Sequence, residues 1–319
     1  MSTNAVQWGI VGCGDVCEVK SGPGFQKAEG SALVAVMRRD QARAEDYARR
    51  HGVPRVHATA DALIDDPDVH AVYIATPPSS HLELALRVAA AGKPCLVEKP
   101  MAMNHAECMR MVDVFRDRGL PLWVAFYRRA LPRFLKVRDL LRDGAIGRPT
   151  SVHVSIKEPL ADDIKRKDWR FDPALGGGLL LDLGSHCVDL LDFFLGPATD
   201  VRGFSENMAG AYATADLANM VARFADGTLA TAIWNFNADE KADALEIVGT
   251  EGRLLTPIFS DTDVVVTTQG RRHVLAIRNT PHVHQPLIQT IVDELRGRGR
   301  CESTGESGAR SAWMLDRCQ

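Results

Sequence analysis

Three stretches of this 319-residue sequence carry side chains whose types and spacing suit chemistry. At the end of an apolar run stands Val97-Glu98-Lys99-Pro100, an ammonium and a carboxylate beside a residue that fixes the backbone. Further on comes Gly176-Gly177-Gly178-Leu-Leu-Leu-Asp182-Leu-Gly-Ser-His186-Cys-Val-Asp189. Asp182 and His186 are four residues apart, so on a helix they share one face. The rest of that helix is almost all Leu, Val and Phe through Leu195, and an ionisable stripe on it is costly to bury unless its members are paired or used. An imidazole, with an ordinary pKa of about 6.5, exchanges protons near neutrality. The alternative is a buried hydrogen-bonded pair that closes an interdomain core. The third stretch, Gly9-Ile-Val-Gly12-Cys-Gly14-Asp15-Val16-Cys17, follows the first strand pattern. It fits Gly-x-Gly-x-x-small, with Cys17 where a third Gly or Ala is usual. Its first two glycines allow a tight turn and close backbone approach to a pyrophosphate at a helix N-terminus. It opens a βαβ unit, the context this motif requires; without that ligand it is a plain strand–turn–helix.

The end of the second strand pattern reads Met37-Arg38-Arg39 where an NAD-selective site would want an acid. A guanidinium suits the 2′-phosphate of NADP and stacks on adenine, so NADP(H) is the preferred cofactor and NAD(H) the alternative. Asp40 either blurs that choice or caps the next helix. Thr76-Pro77-Pro78 ends the third strand pattern on the carboxyl edge, where ligands sit in open α/β sheets. His81 either touches cofactor or substrate or simply starts the following helix.

The elements that must position these residues fall into two domains. Over residues 1–125, short apolar strand patterns at Val6–Val11, Ala32–Met37, Ala71–Ala75, Cys95–Val97 and Leu122–Ala125 alternate with helical ones at Val16–Ala28, Gln41–His51, Ser80–Ala91 and His105–Arg118. That alternation specifies a doubly wound parallel sheet of Rossmann type. Residues 126–319 read as an α+β substrate-binding and oligomerisation domain. They give a helix near Leu131–Arg142, a strand at Thr150–Ile156, the glycine-led helix, and strand after strand from Asp200 to Ile277 with no helix between. The result is a large, mostly antiparallel open sheet. Helices at Gln285–Arg296 and Thr304–Asp316 close the chain, the last one with the option of packing back on the first domain.

Composition is that of a globular chain, 45% hydrophobic and 25% charged, with a net charge of -3. Charges of both signs are interspersed, which gives no electrostatic case for nucleic acid or a membrane surface. Seven cysteines without a Cys-x-x-Cys pair suggest neither a zinc cage nor a disulfide framework, so no metal is expected and the thiols fit a reducing cytoplasm. The N-terminus Met-Ser-Thr-Asn runs into a strand pattern without a leader signature. His282-x-His284 has metal-like spacing but no acidic or Cys partner nearby in sequence.

In order and spacing, the Gly-x-Gly turn, Glu98-Lys99-Pro100 and Gly176-Gly177-Gly178…Asp182…His186 resemble the glucose-fructose oxidoreductase and inositol dehydrogenase family, Gfo/Idh/MocA. The resemblance covers essentially the whole chain. Cys13-Gly-Asp-Val-Cys17-Glu-Val-Lys20-Ser-Gly-Pro and Asp168-Trp169-Arg170-Phe-Asp-Pro look most like the NADP-linked branch containing 1,5-anhydro-D-fructose reductase. It implies hydride transfer between a nicotinamide and a secondary alcohol or carbonyl of a sugar, polyol or related small molecule. It implies that Lys99 meets the reacting oxygen, that His186 is the general acid/base, and that Asp182 binds a substrate hydroxyl and tunes its neighbours. Gly9, Gly12, Gly14, Asp15, Val16, Arg38, Arg39, Thr76, Pro77, His81, Glu98 and Lys99 are then the cofactor-side residues. Tyr127, Arg128, Trp169, Arg170 and Asp189 are the substrate-side candidates, although a core Trp and a supporting Asp fit 169 and 189 equally well. The glycines of the run leave room for substrate or nicotinamide, and the loops at 158–169 and 203–215 decide the substrate. Two other functions fit the same frame: a non-catalytic NADP-sensing regulator, and a redox-assisted glycosidase. The open sheet has a face that needs covering, so a homodimer or homotetramer through it is expected.

Overall fold

The computed structural model describes residues 5–160 and 169–318. The readings placed on Met1–Asn4, on Asp168 and on most of the 158–169 loop fall outside them. By internal contacts the chain forms two units, Met1–Ala130 with Thr280–Ala309, and Leu131–Asn279 with Arg310–Gln319.

The first unit alternates as the sequence pattern requires: β1 (Val6–Val11), α1 (Asp15–Val19), α2 (Ser21–Lys27), β2 (Ser31–Met37), α3 (Gln41–His51), β3 (Arg55–His57), α4 (Ala60–Ile64), β4 (Ala71–Ile74), α5 (His81–Ala90), β5 (Cys95–Val97), α6 (His105–Asp117) and β6 (Leu122–Val124). Six parallel strands lie in the order β3-β2-β1-β4-β5-β6. Every residue of β4 and β5 is buried, as suits strands covered on both faces. The order reverses between β1 and β4, and such a switch point is where an open α/β sheet receives its ligand. Asp40, Thr59 and Asn104 start α3, α4 and α6 by accepting a backbone N–H of Arg43, Ala62 and Glu107.

The expected helix over Val16–Ala28 is two short helices with a break at Lys20. Pro23 cannot donate to the carbonyl of Val19 and would clash with it, so the helix stops. Carbonyls left over at the end of α1 are taken by other groups: Tyr47 OH donates to Cys17 O at 3.1 Å and His282 Nδ1 lies 3.2 Å from Val19 O, while Ser21 Oγ adds a second bond at 3.3 Å to Val16 O, which already accepts the Lys20 N–H.

The second unit is built from α7 (Pro132–Arg142), β7 (Pro149–Pro159), α8 (Ser185–Leu195), β8 (Ala198–Glu206), β9 (Leu217–Phe224), β10 (Leu229–Ala238), β11 (Ala242–Gly249), β12 (Gly252–Thr256), β13 (Val264–Thr268) and β14 (Arg271–Leu275). Its eight strands run β14-β13-β12-β11-β7-β10-β9-β8, antiparallel except for β7 against β10. Ala218, Met220, Ala222 and Phe224 of β9 and Ala230, Ala232, Trp234 and Phe236 of β10 are buried, and the residues between them face outward. That two-residue period gives the sheet one covered face and one open face. Cys187 of α8 meets the covered face, its sulfur accepting from Trp234 Nε1 at 3.4 Å.

Residues 280–309 return to the first unit with α9 (Gln285–Leu295) and the start of α10 (Gly305–Leu315). Gly24 lets α9 come close, because a Cβ there would lie 2.8 Å from Ile288 and 3.2 Å from the Gln285 nitrogen. Ser303 and Val124 exchange hydrogen bonds, and Thr304 bridges Trp123, so the returning chain covers the β6 edge. Among the described residues no helix is long and apolar enough to cross a membrane.

Candidate active site

The glycine turn sits at the switch point of the first sheet. Gly12 has φ +89°, and a Cβ there would lie 2.6 Å from Thr76 Cγ2 and 3.0 Å from the Thr76 nitrogen. Only glycine lets the β1 and β4 ends approach this closely. Gly14 precedes α1, whose first residues are Asp15 and Val16. Gly9 lies inside β1 and faces α4, where a Cβ would lie 2.6 Å from Leu63, so packing accounts for it. Cys17 is fully buried, and burial pushes its thiol up to about 12 and that of Cys13 to about 11, leaving both protonated. Arg38 reaches back to the turn and donates to Cys13 O at 3.2 Å, while Arg39 is exposed. Asp40 is occupied as the cap of α3.

Two loops on the carboxyl edge of this sheet are joined by one imidazole. His81 is wholly buried; its Nε2 lies 2.7 Å from Thr76 O, and its Nδ1 lies 3.1 Å from Pro100 O and 3.2 Å from Met101 O. It therefore spends both nitrogens on holding the Thr76-Pro77 turn to the segment after Lys99. Burial pushes its pKa below the usual histidine value, with the three carbonyls pulling the other way.

Glu98 and Lys99 follow β5. Glu98 is buried, accepts from Tyr73 OH on one oxygen, and accepts the Lys99 backbone N–H at 3.0 Å on the other. Burial raises its carboxyl above the ordinary range, opposed by the Lys99 charge and these bonds. Behind it stands His284, whose Nδ1 is 3.8 Å from Glu98 Oε1 and whose ring lies 4.5 Å from that of Tyr127. Arg128 covers the Tyr127 ring at 4.9 Å and donates to Tyr127 OH at 3.0 Å. Burial and the charges of Lys20, Lys99 and Arg128 push the His284 imidazole down to about 3, so it is neutral at any working pH. His282 and His284 thus act separately, one on a helix end and one in this cluster.

In the second unit, the glycine run is a packing device. A Cβ on Gly177 would lie 2.3 Å from Trp169 O, and one on Gly178 would touch Thr214 at 3.6 Å. At Gly177 the close approach is to the chain's own backbone, whereas Gly178 would make only ordinary contact with Thr214 and is called for by its φ of +141°. Gly178 O accepts the Asp182 N–H at 2.8 Å, and Leu180–Gly184 form a π-helical turn before α8. Such turns are rare and frequent at functional sites. Asp182 faces Arg170 at 3.4 Å, and Arg170 covers the Trp169 ring at 5.1 Å. His186 is buried on the first turn of α8, with Phe259 edge-on at 6.1 Å. Asp189 is buried too and accepts from Ser311 Oγ at 3.4 Å; one turn on, Asp192 binds Arg310 through both oxygens at 2.6 and 2.9 Å.

Phe259 escaped the sequence reading. Its segment is held by Asp243, which accepts the N–H groups of Ile258, Phe259 and Ser260 at 2.7, 2.9 and 2.6 Å. Arg133, buried, donates to Ser260 O and Thr262 O at 2.7 and 3.0 Å. A lone Asp in a strand gives no local sign of such a role.

Comparison with known proteins shows the family. Residues 6–126 match the model of an oxidoreductase family with an NAD-binding Rossmann fold, and residues 134–255 match the Gfo/Idh/MocA C-terminal domain. The chain is 39% identical over 317 residues to "Oxidoreductase P35" of Formosa agariphila, spanning 98% of this chain and 97% of that protein. It is 28% identical to a 1,5-anhydro-D-fructose reductase of Ensifer adhaerens, spanning 97% and 93%. A levoglucosan dehydrogenase solved with NADH and levoglucosan superposes with a TM-score of 0.88 at 23% identity, covering 98% of this chain and 96% of that one. The chain belongs to the Gfo/Idh/MocA family of NAD(P)-binding oxidoreductases.

Proposed function

We propose that this oxidoreductase prefers NADP(H) and interconverts a secondary alcohol and a carbonyl on a sugar, polyol or related small molecule. What carries the reading is the setting of Lys99. It stands on the carboxyl edge of a dinucleotide-type sheet, its backbone tied to a buried carboxylate and the next residues pinned by His81. An ammonium fixed there stabilises an oxygen that gains negative charge as hydride arrives at its carbon. His186 exchanges the hydroxyl proton, and Asp182, beside Arg170, binds a substrate hydroxyl. The bound nicotinamide supplies or accepts the hydride, and the protein supplies orientation and electrostatics. Tyr127, Arg128, Trp169 and Arg170 belong to the substrate side, whereas Asp189, bound to Ser311, supports α8. The sugar and anhydro-sugar names of the relatives support this substrate class.

The turn fits a dinucleotide: Gly12 lets it close on Thr76, and Gly14 leaves the backbone open where a pyrophosphate would lie, ahead of Asp15 and Val16. Thr76, Pro77 and Glu98 line the same edge. Arg38 at the turn, with Asp40 committed to its cap, supports a 2′-phosphate rather than a bare ribose. Arg38→Asp is expected to raise the KM for NADPH about 10- to 100-fold, the worth of one charge-assisted hydrogen bond, with little change for NADH. An unchanged NADPH KM would remove that preference.

The reading is tested by fluorescence titration with NADPH and NADH, then by nicotinamide absorbance on a panel of sugars, inositols and dicarbonyls. Tight NADPH binding with turnover is expected. Tight binding without turnover on any compound would defeat it.

The same reading includes a symmetric assembly in a reducing cytoplasm. The open face of the large sheet exposes Phe204, Val221, Leu229, Ile233, Leu255 and Val274, and Phe204, Asn219 and Ile233 are direct cross-strand neighbours. A row of this kind is a hazard unless covered, which supports a homodimer or homotetramer. Light scattering at micromolar concentration is expected to give a multiple of 34.9 kDa, and a monomer mass would contradict it.

A further inference from the structure

We propose that Tyr212 and Thr214 are specificity-determining residues that read one hydroxyl of a polyhydroxylated ring, away from the carbon that exchanges hydride. The assignment rests on the proposed function above, because it takes the Asp182 side of the second unit to face substrate.

Both hydroxyl oxygens are buried, and among the described residues neither has a protein hydrogen-bond partner. Buried hydroxyls are nearly always satisfied, so two orphans in one loop call for a ligand. Their place is specific. Thr214 lies against Gly178, its Cβ and Cγ2 3.6 Å and its Oγ1 3.8 Å from where a Cβ would stand. Gly178 in turn accepts the Asp182 N–H, which puts Thr214 beside the turn that leads to Asp182. Tyr212 packs its ring on Phe171 at 5.1 Å, and Phe171 follows the Trp169-Arg170 pair that meets Asp182.

The loop that carries them is preorganised. Asp216, fully buried, accepts the N–H groups of Met208 and Ala209 at 2.8 and 2.7 Å. Asn207 donates to Tyr212 O at 2.7 Å and accepts from Gly210 N at 2.9 Å. Tyr212 is held protonated, since burial and the Asp216 charge push it up to about 12. A phenol that donates and an alcohol that does either are matched by a group able to give and take a hydrogen bond, and a neutral ring hydroxyl is such a group. A site built this way rejects the analogue that lacks the hydroxyl, because its own polar groups are then left unpaired.

The test uses the full-length protein with NADPH, and Tyr212→Phe and Thr214→Val, which keep shape and remove only the hydroxyl. The probes are D-glucose and myo-inositol, each with its analogues lacking one hydroxyl at a time. Turnover and ligand-induced shift in melting temperature are both read. The expected result is that wild type prefers a parent over one analogue by about tenfold or more. Each variant drops to the analogue's value through KM, with kcat and the unliganded melting temperature kept. Variants that leave discrimination unchanged, or that weaken every compound equally, overturn the assignment, as does a wild type that binds no compound of the panel. Wild-type hydride transfer without such discrimination would sink Tyr212 and Thr214 alone. Discrimination in binding without hydride transfer would sink the enzymatic reading alone.

Discussion

Replacing Lys99 with alanine is expected to lower turnover about 100-fold or more while NADPH binding stays near the wild-type value. The split follows from how the residue is held. Its backbone N–H, which the variant keeps, ties the segment to Glu98, and His81 pins Pro100 and Met101 independently of the side chain. The turn with Gly12 and the Arg38 contact are also untouched. What disappears is the ammonium proposed to answer charge on the reacting oxygen, together with a cation that now opposes the burial of Glu98. Stopped-flow measurement of reduced nicotinamide separates the two effects. A variant within about threefold of wild type in kcat would remove Lys99 from the chemistry.

The second large effect is expected at His186. His186→Gln should lower kcat about 10²- to 10⁴-fold, the range for loss of a general acid/base, and should abolish the limb of the pH–rate profile that this group reports. Its setting keeps that from being a folding effect: Asp192–Arg310 and the Cys187–Trp234 contact anchor α8 without it. The alternative, a structural pair with Asp182 that closes a core, predicts the reverse, a lower melting temperature with kcat preserved. Calorimetry beside the pH profile decides between them.

Much of this architecture is legible in the sequence because it is local. The strands of the first sheet announce themselves as short apolar runs, and five of the six fall within a residue of their expected ends. The sixth, β3, has only Arg55, Val56 and His57, none fully buried, and exists because β2 offers an edge. The five residues of α4 are likewise too few for a period to show. The break at Lys20 is signalled by Gly22-Pro23-Gly24, which the single helical span Val16–Ala28 runs across. Glu98, Lys99, Asp182 and His186 stand out because ionisable groups interrupt apolar runs. Their supports do not: Tyr73 is one apolar residue among four on β4, His284 lies 186 positions beyond Glu98 in sequence, and Asp243 reaches its three N–H groups only once β11 is paired. Gly177 shows the opposite failure, a correct signal of close approach assigned to a ligand when the backbone of Trp169 and Arg170 takes the space.

The most direct test of the central claim is the fate of a label. Wild-type protein is given NADPH carrying deuterium at the transferable position and the best carbonyl compound from the panel, and the product is read by mass spectrometry. Direct hydride transfer predicts one deuterium on the new carbinol carbon, with one nicotinamide oxidised per product. Product without deuterium, or a nucleotide that binds and stays reduced, would contradict it and leave a sensing or redox-neutral role in its place.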